Sequence, residues 1–179
     1  MATILGLSGS LRRASFNAGL LRAAADLTPE GTRIEIGTIR DVPLYDGDME
    51  EATGLPPPVQ ALQAQLAAAD ALLLVTPEYN NGVPGVFKNA IDWMSRGDGL
   101  ALFTAKPVAV IGASPGGFGT ILAQSHWLPV LRTLKMHPWL EGRLMVSRAG
   151  GLFDDSGNLT DEKTRAALRD FMAGFARSL

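Results

Sequence analysis

The stretch ALLLVTPEYNNGVPGVFKNAIDWMS, residues 71–95, decides the fold. Ala71 to Val75 is the most continuous apolar run in the chain and predicts a central strand. Val86 to Ser95 predicts a helix. The loop between them, Pro77 to Gly85, offers a flat aromatic, two carboxamides and a backbone stiffened by Pro77 and Pro84.

Strands and helices alternate outward from this stretch. On the N-terminal side, Ile4 to Leu7 predicts a short buried strand running into Ser8-Gly9-Ser10. Ser15 to Ala25 carries Leu20, Leu21 and alanines at helical spacing, with Pro29 and Gly31 beyond its end. Arg33 to Ile39 alternates polar and apolar residues as a half-covered strand does. Asp41 to Pro58 reads as a long polar loop, and Val59 to Ala69 as a helix with Leu62 and Leu66 four apart. On the C-terminal side, Val108 to Ala113 predicts a fourth strand and Leu140 to Val146 a fifth. Ile121 to Leu134 predicts a helix interrupted or kinked near Pro129. Asp161 to Ala176 predicts a closing amphipathic helix with an imperfect capping box, because Thr160 is followed three residues later by Lys163 rather than Glu. Five strands alternating with five helices predict an α/β fold, a parallel sheet covered on both faces, in one domain over residues 1–179. Ligands on such sheets bind at the carboxyl ends of the strands. The loops to search are Ser8 to Asn17, Pro77 to Gly85 and Ser114 to Gly119.

Composition narrows the chemistry. Hydrophobic residues make up 46% and charged residues 19%, with a net charge of -2 and no basic stripe, so nucleic acid is not an expected partner. The absence of cysteine excludes disulfides, thiolate catalysis and thiolate metal sites. The opening residues lack a basic region and a cleavage site, and no stretch approaches a membrane span of about 20 apolar residues; the expected location is the cytoplasm. His126 and His137 are too far apart for a helical ligand pair, so no metal site is expected.

The first loop leaves a strand and enters a helix, where free N–H groups and the positive end of the helix dipole point into the loop. Ser10, Ser15 and Asn17 can donate hydrogen bonds and Arg12 adds a permanent charge, a set that suits a phosphate dianion. The plainer alternative is a strand–turn–helix junction with Ser15 as N-cap and two solvated arginines. The second loop suits a flat heterocycle, or merely turns the chain at its Asn-Gly and Pro-Gly steps. The third loop contains Gly112-Ala113-Ser114-Pro115-Gly116, which matches a nucleophile elbow. Pro115 lacks the N–H an oxyanion hole needs there, and no acid lies between Ser114 and His137. That loop reads better as glycines that let a ligand approach the backbone. Lys88, Asn89 and Asp92 read as a polar helix face with local hydrogen bonds.

Gly9-Ser10-Leu11-Arg12 with Ser15 and Asn17, then Pro77-Glu78-Tyr79-Asn80 with Pro84-Gly85, then Lys88-Asn89-Ala90-Ile91-Asp92-Trp93, resemble the NADPH-dependent FMN reductase family, which includes bacterial quinone and chromate reductases. The resemblance runs from residue 3 to about residue 170. It implies a flavodoxin-like fold, a three-layer sandwich with strand order 2-1-3-4-5, and non-covalent FMN. It assigns Ser10, Arg12, Ser15, Phe16 and Asn17 to the phosphate, and Pro77, Glu78, Tyr79 and Asn80 to the edge of the isoalloxazine. It assigns Ser114, Gly116 and Gly117 to the ring's other side. Asn81 sits where some members carry an aromatic residue. NADH or NADPH is the implied hydride donor, and a quinone, free flavin, azo compound or metal ion the acceptor. The cofactor carries the chemistry, so no catalytic side chain is nominated. Family members are commonly dimers or tetramers, and the apolar run from Trp127 to Trp139, with Leu128, Val130, Leu131, Leu134 and Met136, is expected to be partly buried between subunits. A flavodoxin-type carrier of single electrons is the alternative, and a small esterase is weaker still.

Overall fold

The computed structural model describes residues 1–179. Strands β1 (Ala2–Ser8), β2 (Thr32–Gly37), β3 (Ala71–Val75), β4 (Pro107–Ala113) and β5 (His137–Pro138) form a parallel sheet in the order β2-β1-β3-β4-β5. A further strand, β6 (Met145–Val146), also pairs with β4. Helices α1 (Phe16–Leu27) and α7 (Glu162–Arg177) cover one face. Helices α3 (Pro57–Ala68), α4 (Gly85–Met94) and α6 (Ile121–Thr133) cover the other. Two short helices, α2 (Gly47–Thr53) and α5 (Gly99–Phe103), lie in connections; α2 falls inside the stretch expected to be loop throughout.

The period of two in β3 builds both cores. Leu73 and Val75 meet Leu20 and Leu21 of α1 and Phe171 and Phe175 of α7. Leu72 and Leu74 point the other way and join Leu62, Phe87, Ile91 and Trp127. All five residues of β3 are buried, which is why it reads as an unbroken apolar run rather than an alternating one.

Three expectations need correction. The fifth strand is not Leu140 to Val146. His137–Pro138 pairs with Pro107–Val108, Met145–Val146 pairs with Gly112–Ala113, and residues 139–144 leave the sheet between them. The cause is Trp139, whose ring packs on Phe171 at 5.0 Å and Phe175 at 5.6 Å and draws the chain off the edge. A Cβ on Gly142 would lie 2.4 Å from that ring, so glycine lets the detour pass over it. The detour leaves the N–H and C=O of Val110 facing away from β3 with no partner strand. Next, α6 is not interrupted. Pro129 sits within it, and both Pro129 and Ser125, whose carbonyl loses its donor, are exposed residues. The N-cap of α7 is Asp161, one residue beyond the expected Thr160, and its carboxylate accepts from the Thr164 N–H at 2.7 Å. Trp127, Leu131, Leu134 and Met136 are buried within the chain's own core, and Leu128 of the same run is exposed.

Candidate functional site

The carboxyl ends of β1, β3 and β4 open onto one crevice. Ser10, Arg12, Ser15, Phe16, Asn17, Pro77, Glu78, Tyr79 and Ser114 line a cleft of about 160 Å³ there, together with Ala113 and Pro115. Nine of the residues singled out from sequence therefore meet in one place. Asn80, Gly116 and Gly117 lie outside that lining, on the exposed rims of the second and third loops.

The first loop is held from three directions. Gly9 N–H donates to the Val75 carbonyl at 2.9 Å. Arg40, beyond the end of β2, donates to the Leu11 carbonyl at 2.8 Å. Ser15 caps α1, its hydroxyl oxygen accepting from Ala18 N–H at 3.2 Å. The cap leaves the Ser15 hydroxyl proton free to donate. The N–H groups of Phe16 and Asn17, in the first turn of α1, have no intrahelical acceptor. Arg12 is exposed and its guanidinium makes no bond within the chain. This is the donor set a dianion needs: positive charge, hydroxyl protons and helix N–H groups converging.

Asn17 does something sequence reasoning missed. Its carboxamide is buried, donates to the Ala113 carbonyl at 2.9 Å and accepts from the Ala113 N–H at 2.8 Å. The side chain thus stitches α1 to the end of β4, while its backbone N–H makes no bond within the helix. Arg40 was also missed. Nothing in its local sequence marks it; only the fold brings it to Leu11.

The second loop is a miniature hairpin. Tyr79 and Gly82 exchange backbone hydrogen bonds at 3.2 and 3.0 Å across Asn80 and Asn81, which have φ of 50° and 62°. Positive φ at both central residues is the type I′ geometry, and asparagine tolerates it. Tyr79 is left 52% exposed at the crevice mouth. Glu78 turns away from the hairpin: its Oε2 accepts from the N–H groups of Leu122 and Ala123 in the first turn of α6, both at 2.9 Å. On α4, Lys88 and Asp92 pair with each other at 2.7 Å, as a local polar face does. Asn89 reaches farther, donating to the Pro43 carbonyl at 2.8 Å and accepting from Tyr45 N–H at 2.9 Å.

In the third loop, Ser114 Oγ accepts from Gly116 N–H at 3.1 Å, a local turn. A Cβ on Gly117 would meet nothing within 4 Å, and one on Gly116 only Ser114 Oγ at 3.4 Å, so this rim faces open space. Gly112 is required for another reason: its Cβ would lie 2.1 Å from the Thr76 carbonyl, where β3 and β4 run into their loops.

A 2-1-3-4-5 parallel sheet with its crevice at the switch in strand order is the plan of the flavodoxin-like flavoproteins. The sequence profile of one group within that class, described as NADPH-dependent FMN reductase, matches residues 2–151. The chain belongs to the NADPH-dependent FMN reductase family, whose members are oxidoreductases that work with FMN. It is 46% identical over 166 residues to an NAD(P)H-dependent FMN reductase of Pseudomonas aeruginosa, covering 93% of this chain and 89% of that one. It is 40% identical over 168 residues to a 2-hydroxy-1,4-benzoquinone reductase of a Burkholderia species, covering 94% and 91%. Among solved structures, the flavoenzyme NAD(P)H:(acceptor) oxidoreductase of Paracoccus denitrificans superposes with a TM-score of 0.86 at 33% identity, over 99% of this chain and 96% of that one.

Proposed function

We propose that the crevice seats FMN with its phosphate on the first loop and its ring between the second and third, and that the bound flavin relays electrons from NADH or NADPH to a quinone. The observation that carries this reading is the start of α1, where the unbonded N–H groups of Phe16 and Asn17 converge with the Ser10 and Ser15 hydroxyls beside the unpaired Arg12. These groups fit a phosphate in charge and in number of donors. Pro77, Tyr79 and Asn80 edge the ring, and Ser114, Gly116 and Gly117 border it, with the open space above the two glycines leaving room for a flat molecule. Bound FMN supplies a two-electron store that the nicotinamide fills and the acceptor empties. The chain's own part is to bind, orient and leave one ring face open. The quinone as acceptor rests on the Burkholderia relative's name and on other curated relatives named quinone reductase. No relative compared above is named as an electron carrier, so the flavodoxin-type alternative draws no support from them.

The purified protein is expected to show the absorption of bound flavin and to bleach on addition of NADH or NADPH under argon. Nicotinamide and acceptor share one crevice, so double-reciprocal plots at several quinone concentrations are expected to be parallel, the ping-pong pattern. Intersecting plots, or no bleaching with either nucleotide, would contradict the proposal. We place the enzyme in the cytoplasm, where its nucleotide substrates are; no helix is long and apolar enough to cross a membrane. We also propose self-association. Ile121, Leu128 and Leu140 are 43%, 44% and 69% exposed around an apolar groove of about 390 Å³ beside α6. A monomer by light scattering at micromolar concentration would contradict it.

A further inference from the structure

The two walls that would hold a flavin ring hang from different strands, the second loop from β3 and the third from β4. The hydrogen bonds joining the second loop to the third loop and its helix are the two that Glu78 Oε2 accepts from Leu122 and Ala123, across 44 and 45 residues of sequence. Glu78 precedes Tyr79, whose hairpin forms one wall, and α6 follows Gly116, Gly117 and Gly119, which form the other. The carboxylate also meets the positive end of a 13-residue helix, where a negative charge is favoured. A merely solvated glutamate would not converge on two first-turn N–H groups at 2.9 Å.

We propose that Glu78 is a positioning residue for the flavin ring: its carboxylate staples the two walls together and fixes the width of the slot between them. The family resemblance assigned Glu78 to the ring's edge; the geometry gives it a different task, action through α6. The inference rests on the flavin-site reading above. A glutamine at this position keeps an acceptor oxygen for both N–H groups, whereas an alanine keeps neither.

The test compares the parent protein, Glu78→Ala and Glu78→Gln, each titrated with FMN and with riboflavin by flavin fluorescence, alongside kcat and KM for NADPH and a quinone. Glu78→Ala is expected to weaken FMN and riboflavin by the same factor, about tenfold or more, because the slot acts on the ring they share. Glu78→Gln is expected to restore both to within about threefold. Leu122→Pro serves if the alanine variant fails to fold. It deletes one of the two N–H groups while leaving Glu78 in place, and proline is tolerated in a first helical turn, as Pro57 and Pro58 are in α3. It is expected to give a smaller loss, again equal for both flavins. Parental flavin affinity in Glu78→Ala overturns the proposal. So does a glutamine variant as impaired as alanine, which would mean that accepting from Leu122 and Ala123 is not what Glu78 contributes. A loss confined to FMN overturns it too, by placing Glu78 at the phosphate. Failure of the parent to bind either flavin is a different result and defeats the flavin-site reading itself.

Discussion

The two ends of the crevice are built on opposite plans. The end proposed for the phosphate is one helix turn on a backbone held by Val75, Arg40 and the buried Asn17. The end proposed for the ring is two loops from separate strands, with Tyr79 52% and Phe118 83% exposed and a hairpin tip of two asparagines in the left-handed region. The difference teaches where specificity can vary. A phosphate is the same in every flavin nucleotide and suits a fixed set of donors. The face where nicotinamide and acceptor take turns suits loops whose side chains change without disturbing the sheet.

If the contrast holds, substitutions at the two ends separate stability from binding. The largest effect is expected at Asn17. Asn17→Ala leaves the buried N–H and C=O of Ala113 without partners and should cost about 2–4 kcal/mol of folding stability, read by urea denaturation of the apoprotein. A loss under about 0.5 kcal/mol would show that Asn17 is no stitch between α1 and β4. Arg12→Ala should leave stability alone and weaken FMN by about 1.5–3 kcal/mol, the worth of a hydrogen bond to a charged group, while riboflavin binds as before. Equal FMN affinity in parent and variant would move the phosphate elsewhere.

Smaller effects sharpen the comparison. Ser114→Ala removes only a local turn contact and should keep reductase activity within about tenfold, the range a catalytic group would exceed. Stoichiometric labelling of Ser114 by a phosphonate would instead revive the hydrolase reading. The smallest effect is acid loosening of the phosphate end. The turn at residues 154–161 packs behind it, where a Cβ on Gly157 would lie 3.0 Å from Ala14. Asn158 N–H groups hold the Asp154 carboxyl below its ordinary value, and the Thr164 hydroxyl does the same for Asp161. Both carboxylates are bound more tightly when charged, so their contribution is complete above the ordinary value of 3.8 and is lost as pH falls through the lower folded values. The urea midpoint should therefore begin to fall below about pH 4, and less steeply in Asp154→Asn. Identical slopes in parent and variant would remove Asp154 from the account.

Much of this was legible in the residues, and the misses share a cause. The apolar run of β3 announces its environment, whereas the alternation in β2 does not, since Ile36 is left 47% exposed; the three loops were found because parallel sheets bind ligands at one end. Asn17 and Glu78 are legible as cleft residues, but not the bonds they make within the chain. Their types suit a ligand, but their partners, Ala113 and the first turn of α6, lie 96 and about 44 residues away. Local pattern carries no record of such a distance. The fifth strand failed the same way. Leu140 to Val146 has the composition of a strand, but the aromatic pocket on α7 that draws Trp139 out of line is assembled only in the folded chain.

That broken strand bears on whether copies of the protein can pair edge to edge. A sheet edge with a long row of unpaired backbone groups invites another strand to add on, and then another. Here β5 and β6 are two residues each, Pro138 contributes no donor, and the detour of residues 139–144 separates them. No continuous ladder is left on that side for an incoming strand to copy. At the opposite edge, β2 carries Arg33 and Glu35, charges that disfavour the same addition. The departure from regular structure that hid the fifth strand in the sequence thus guards the sheet against fibrous growth.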